Sequence, residues 1–108
     1  MKRKQWSIWY ATVRFEDDPH TSKDRPVIVV SEQLCFTISF KVTSNLNREG
    51  YVIKKWKEAK LWKPSVAIIY DKPICLKDDD FKDYIGELQA EDIQNIIDSL
   101  SHGGYDTE

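Results

Sequence analysis

The sequence predicts a mainly β domain, a compact β-barrel with helices attached, and three observations predict it. From Ile8 to Phe15, Trp9, Ala11, Val13 and Phe15 fall on one face and Tyr10, Thr12 and Arg14 on the other, the two-residue period of a half-buried strand. Leu34, Phe36, Ile38, Phe40 and Val42 alternate in the same way with Cys35, Thr37, Ser39 and Lys41. Only near the end does a clear helical spacing occur: Ile93, Ile96, Ile97 and Leu100 stand at i, i+3, i+4 and i+7.

The segments between these follow from their turn chemistry. Glu16 to Arg25, with Asp17-Asp18-Pro19, reads as a polar loop. Val27 to Val30 is a continuous β-branched run, as expected of a strand buried on both faces. The alternating strand ends at Thr43-Ser44-Asn45, residues that prefer turns. Tyr51-Val52-Ile53 reads as a brief strand leading into two helical turns over Lys54 to Lys60, and Pro64 forbids a helix through it. Val66 to Tyr70 and Ile74 to Leu76 are further β-rich runs, and Asp78-Asp79-Asp80 suits a turn and a local N-cap for Phe81 to Ile85. Glu91 and Asp92 favour the first turn of the closing helix, and Gly103-Gly104 stops it. The expectation is five or six mostly antiparallel strands in one domain over 1–108. Its core spans about 6–100, with a flexible tail over 101–108.

Composition narrows the class. Hydrophobic residues at 41% and charged residues at 31% suit a globular chain and exclude a disordered one. No apolar run approaches the roughly 20 residues that span a bilayer. The basic start, Met1 to Lys4, is followed by Gln5-Trp6-Ser7 rather than an apolar signal-peptide region, so a cytoplasmic protein is expected. Cys35 and Cys75 read as two buried free thiols. With only His20 and His102 beside them, and an Asp triplet lacking the Gly and distal Glu of an EF-hand loop, neither a metal nor another cofactor is expected. Charge is uneven: residues 1–70 carry 13 Lys+Arg against 7 Asp+Glu, and residues 71–108 carry 3 against 11. A phosphate-binding surface therefore belongs to the first two-thirds, and the acidic remainder reads as a solvated face.

Four segments, in order, resemble the MazF/PemK (Kid) toxin family. Lys23-Asp24-Arg25-Pro26-Val27-Ile28-Val29-Val30-Ser31 is similar to its "(K/R)xRPxxVxS", and Val42-Thr43-Ser44 to its "(P)xTS". Trp56-Lys57-Glu58-Ala59-Lys60-Leu61-Trp62-Lys63-Pro64-Ser65 resembles "WxxAGLxKPS", and Ile85-Gly86-Glu87-Leu88 its "(I/L)GxL". The resemblance implies an SH3-like barrel of the CcdB/Kid/MazF type, usually a homodimer, that cuts single-stranded RNA without a metal. It also implies an antitoxin partner whose disordered tail lies across the RNA groove.

Metal-free RNA cleavage requires deprotonation of a 2′-hydroxyl, stabilisation of the phosphorane and protonation of the leaving 5′-oxygen. Arg25, which matches the family's catalytic Arg, offers a planar fork of donors to phosphate. Thr43 supplies a hydroxyl that donates to a phosphoryl oxygen without ionising, alongside the bland reading of a turn bonded to its own backbone. For the base, His20, five residues before Arg25, is one candidate, because histidine as a residue type suits proton transfer. Asp71 is the alternative, at the position of the Asp in the Kid branch's "RxD" pair, but Ile69 stands where that branch has its Arg. Either Arg25 then takes over as the proton donor, or the activity is weak or absent. Lys23, Ser44 and Ser65, within the matched segments, join Lys54, Lys57 and Lys63 as candidate RNA-binding residues. Trp56 and Trp62 read as core or dimer-interface residues, with base stacking as the other reading.

A second class remains open, a non-enzymatic binder on the same scaffold. It includes a CcdB-like gyrase-targeting toxin, an inactive homologue that binds RNA or a partner, and an SH3-like adaptor. An adaptor needs an acidic and aromatic groove for proline-rich peptides, whereas the aromatics of Lys54 to Lys63 accompany lysines.

Overall fold

Alternation and β-branching carry through to seven strands in one sheet. The computed structural model describes residues 3–14 and 20–103; Phe15, most of the expected loop before residue 20, and the last five tail positions lie outside them. The elements are β1 (Ser7–Arg14), β2 (Ser22–Glu32), β3 (Thr37–Thr43), β4 (Tyr51–Val52), β5 (Val66–Ile68), β6 (Ile74–Leu76), β7 (Phe81–Glu87) and α1 (Ala90–Gly103). The strand path is β4-β5-β3-β2-β1-β7, with β6 also paired to β3, and every pairing is antiparallel. This is a mainly β, barrel-like architecture with one C-terminal helix. No helix among the described residues is long and apolar enough to cross a membrane.

The central strands are covered on both sides, which explains their apolar richness. Ile8 and Ile28 oppose one another and join Phe40, Val42, Ile53, Ala67 and Ile96 in the larger core cluster. Their chain neighbours point the other way: Ala11, Val13 and Val27 pack with Leu76, and Trp9, Ile74 and Phe81 close over them. α1 lies on the larger cluster through Ile93, Ile96 and Leu100, while Ile97 is exposed. Each fully buried aliphatic side chain contributes about 1.5–3 kcal/mol.

Several expectations need correction. β2 begins at Ser22 and pairs back to β1, so Ser22 to Arg25 are strand rather than loop. β3 starts only at Thr37, leaving Leu34 and Phe36 exposed in the β2–β3 connection. The core face of Phe40 and Val42 stands, but Thr37 and Ser39 are buried as well because β3 is also covered on its other side. Both cysteines are free, as expected, yet exposed rather than buried, because each lies at the sheet margin. Phe81 to Ile85 is strand β7, not a segment capped by the Asp triplet; Asp80 instead accepts from Arg14 at 2.9 Å and from the Lys77 N–H at 2.9 Å. α1 continues through 101–103, where a flexible tail was expected.

The expected internal helix at Lys54 to Lys60 is a series of turns. It ends as helices do: Lys60 N–H donates to Lys57 O and Leu61 N–H to Trp56 O, both at 3.0 Å, with Lys60 at φ 75°. That is the Schellman pattern, whose left-handed position favours glycine. Lys60 occupies the place of Gly in the motif quoted above. At the start of the segment, buried Asp92 of α1 accepts the N–H groups of Lys54 at 3.0 Å and Lys55 at 2.9 Å. Gly86 of β7 lets the segment lie close: a Cβ there would collide with the Ala59 carbonyl and come within 2.9 Å of Lys60 Cβ. The turn therefore bridges the space between the β4 and β7 ends of the sheet.

Candidate functional site

The β2–β3 register runs Val29↔Ser39, Ile28↔Phe40 and Val27↔Lys41. Opposed residues share one side of a sheet and every second residue returns to it. Arg25, two before Val27, and Thr43, two after Lys41, therefore lie on the same side of neighbouring strands. Arg25 is half-buried, and its Nε is buried without a hydrogen-bond partner among the described residues. No described carboxylate pairs with it. A buried donor left unsatisfied costs about 1–3 kcal/mol, so an anion brought to this guanidinium gains what the fold leaves unmet. Thr43 Oγ1 accepts the Asn45 N–H at 3.1 Å, the turn expected of it, and its hydroxyl hydrogen remains available to donate.

Adjacent residues of the same strands line a groove on the other side. Tyr10 and Pro26 are opposed, and they meet Val42, Ser44, Leu61, Trp62, Lys63 and Ser65 around a space of ≈ 150 Å³. Ser44, Lys63 and Ser65 of the expected RNA-binding set are thus together. Ser65 is buried and its hydroxyl donates to Lys63 O at 2.9 Å, fixing the bend at Pro64. Tyr10 and Trp62, with ring centroids 6.2 Å apart, are shared with a second, larger cleft of ≈ 410 Å³ completed by Lys60, Asp83, Tyr84 and Ile85.

The remaining candidates stand apart. His20 is exposed in the turn before β2, and Lys23 is exposed on β2, on the Arg25 side. Lys57 lies 5.5 Å from the centre of the Trp56 ring, and Lys54 is 3.8 Å from Glu91. Such exposed pairs are worth about 0–1 kcal/mol and break readily for a stronger anion. Asp71 sits in the β5–β6 connection and pairs with Arg48 at 3.1 Å. It thus has an arginine partner, though not from the position two residues before it. Trp56 packs against the core, as expected, whereas Trp62 is 67% exposed.

Sequence reasoning missed Tyr10, Asp83, Tyr84 and Asp92. Tyr10 was legible only as the polar face of its strand, Asp83 was absorbed into an acidic third read as solvated, and Asp92 was read only as favouring the first turn of the closing helix. Asp92 also accepts a short hydrogen bond from the Tyr51 hydroxyl, to which Asn95 donates at 3.0 Å. Burial, and then this bond to Asp92, push the Tyr51 pKa up to about 12. Among the described residues no three His, Cys, Asp or Glu side chains are grouped to hold a metal ion. No family model and no curated protein matches the chain.

Proposed function

We propose that this protein is a metal-independent endoribonuclease of the MazF/PemK toxin kind, cutting single-stranded RNA. The observation that carries the reading is Arg25, a half-buried guanidinium with an unsatisfied Nε and no described counter-charge, on the same side of the sheet as Thr43. In this account Arg25 holds the non-bridging oxygens of the scissile phosphate, and Thr43 donates to the same group as charge builds on the phosphorane. Removal of the 2′-hydroxyl proton falls to His20 or Asp71, both of which stand apart from Arg25 and Thr43 and have to be met by the bound strand. The lysine-flanked aromatic groove lies on the opposite side of the sheet from Arg25 and Thr43. In this reading the RNA passes around the Arg25–Pro26 end of β2 to reach it, with phosphates near Lys63 and bases against Trp62.

The wider reading follows from the same resemblance: an SH3-like barrel, a homodimer, a cytoplasmic toxin and an antitoxin that covers the groove. The barrel is supported by the bridging of the β4 and β7 ends through the turn seated on Gly86.

The test is incubation of purified protein with mixed-sequence RNA in EDTA. The wild type is expected to cut, and Arg25→Ala and Thr43→Ala to be slowed about 100-fold or more, the usual effect of removing a transition-state donor. Intact RNA across a range of substrates ends the ribonuclease reading; equal cutting by the variants ends the site assignment alone.

One observation favours a second reading, the non-enzymatic binder. Asp83 beside Tyr10, Trp62 and Tyr84 is an acidic and aromatic combination suited to proline-rich peptides. Binding of such a peptide by a protein inert toward RNA would select it.

A further inference from the structure

The larger cleft has a composition that a phosphate-tracking groove does not explain. Its aromatic walls are exposed, Trp62 at 67% and Tyr84 at 54%, and Tyr84 is braced edge-on by Trp9 with ring centroids 5.4 Å apart. Asp83 lines the same cleft, directly opposite Tyr10 in the β1–β7 pairing. Among the described residues neither the Asp83 carboxylate nor the Lys60 ammonium makes a side-chain hydrogen bond or ion pair. With one carboxylate, Asp83, and one ammonium, Lys60, in its lining, the cleft carries no net positive charge to hold the phosphate backbone of a nucleic acid. Its rings and its ≈ 410 Å³ suit an uncharged planar group instead.

We propose that this cleft is a base-recognition pocket in which Asp83 selects an unpaired base carrying an exocyclic amine. The proposal rests on the single-stranded RNA reading given above and deepens it. A carboxylate only accepts, and Lys60 only donates. Cytosine and adenine each present an amino donor beside a ring-nitrogen acceptor, which matches that pair. Uracil presents one imino N–H flanked by two carbonyl oxygens, and both oxygens are repelled by a carboxylate. Trp62 supplies the stacking face, which every base can use, so selection comes from Asp83 and affinity from the ring.

Fluorescence anisotropy with labelled octacytidylate and octauridylate reads the two contributions separately, because these strands differ only in the edge presented. The wild type is expected to bind the cytidine strand about tenfold more tightly. Asp83→Asn, whose amide serves either edge, is expected to bring the two affinities together. Trp62→Ala is expected to weaken both by about fivefold or more. Asp83 is exposed on a strand at the end of the sheet path, so its replacement leaves the core intact. A ratio that Asp83→Asn leaves unchanged, or a wild-type preference for uridine, overturns the inference while the RNA reading stands. Binding of neither strand by the wild type overturns both, and binding of a proline-rich peptide in their place assigns the cleft to the adaptor reading.

Discussion

Arg25 and Lys60 are two residues whose local environments ask for something the other described residues do not supply. The Arg25 motif was legible as an Arg-Pro pair before a β-branched run, but its placement inside a strand was not. The polar composition of Glu16 to Arg25 hid a pairing that only β1 could reveal, since Arg25 lies opposite Ala11. Lys60 stands in a left-handed conformation at φ 75°, which costs an L-residue about 1–2 kcal/mol relative to glycine. Its side chain also lines the Asp83 cleft. Lys60→Gly is therefore expected to raise stability in urea denaturation by about 0.5–1 kcal/mol and to weaken RNA binding. If stability falls, the aliphatic part of Lys60 against Gly86 matters more than the backbone strain.

Among the elements, the segment between β4 and β5, expected as two helical turns over Lys54 to Lys60, has the least regular structure. What holds it comes from elsewhere. Asp92 caps its first N–H groups from α1, and Gly86 admits it against β7. Neither partner is within reach of a local pattern, which is why the capped turn was read as helix, while the brief strand at Tyr51-Val52 and α1, with its own periodicity, were legible. β3 makes the same point, since Phe40 and Val42 were read correctly but Leu34 and Phe36 were not. Alternation marks which residues share a face, not how far the partner strand extends. The Tyr51–Asp92 bond gives this element a pH signature. The Tyr51 pKa is raised from about 10 to about 12, so the folded state binds more protons than the unfolded state between those values. Its contribution is fully present below pH about 10 and is lost as pH rises through about 12. Urea midpoints measured at pH 8 and pH 11 are expected to separate more in the wild type than in Tyr51→Phe. Equal separation removes this bond as the source.

For the whole molecule, the division of charge along the chain maps imperfectly onto its surface. Of the basic two-thirds, Arg25 lies on one side of the sheet, whereas Lys60 and Lys63 line the two clefts that share Tyr10 and Trp62 on the other. The strand β7, from the acidic third, brings Asp83 beside Lys60. Barrel-like closure folds distant composition onto one face, so a charge tally by sequence position misses such intrusions. The central claim is that RNA is cut by attack of its own 2′-hydroxyl, with Arg25 and Thr43 stabilising the phosphorane. That route sends the phosphate to the upstream fragment as a 2′,3′-cyclic ester and leaves a hydroxyl on the 5′ end of the downstream fragment. Mapping the termini produced from mixed-sequence RNA in EDTA measures this directly. The account predicts 5′-hydroxyl ends that a kinase can label without prior dephosphorylation, and their disappearance in Arg25→Ala. Fragments bearing 5′-phosphates, or RNA left whole by the wild-type protein, would contradict it.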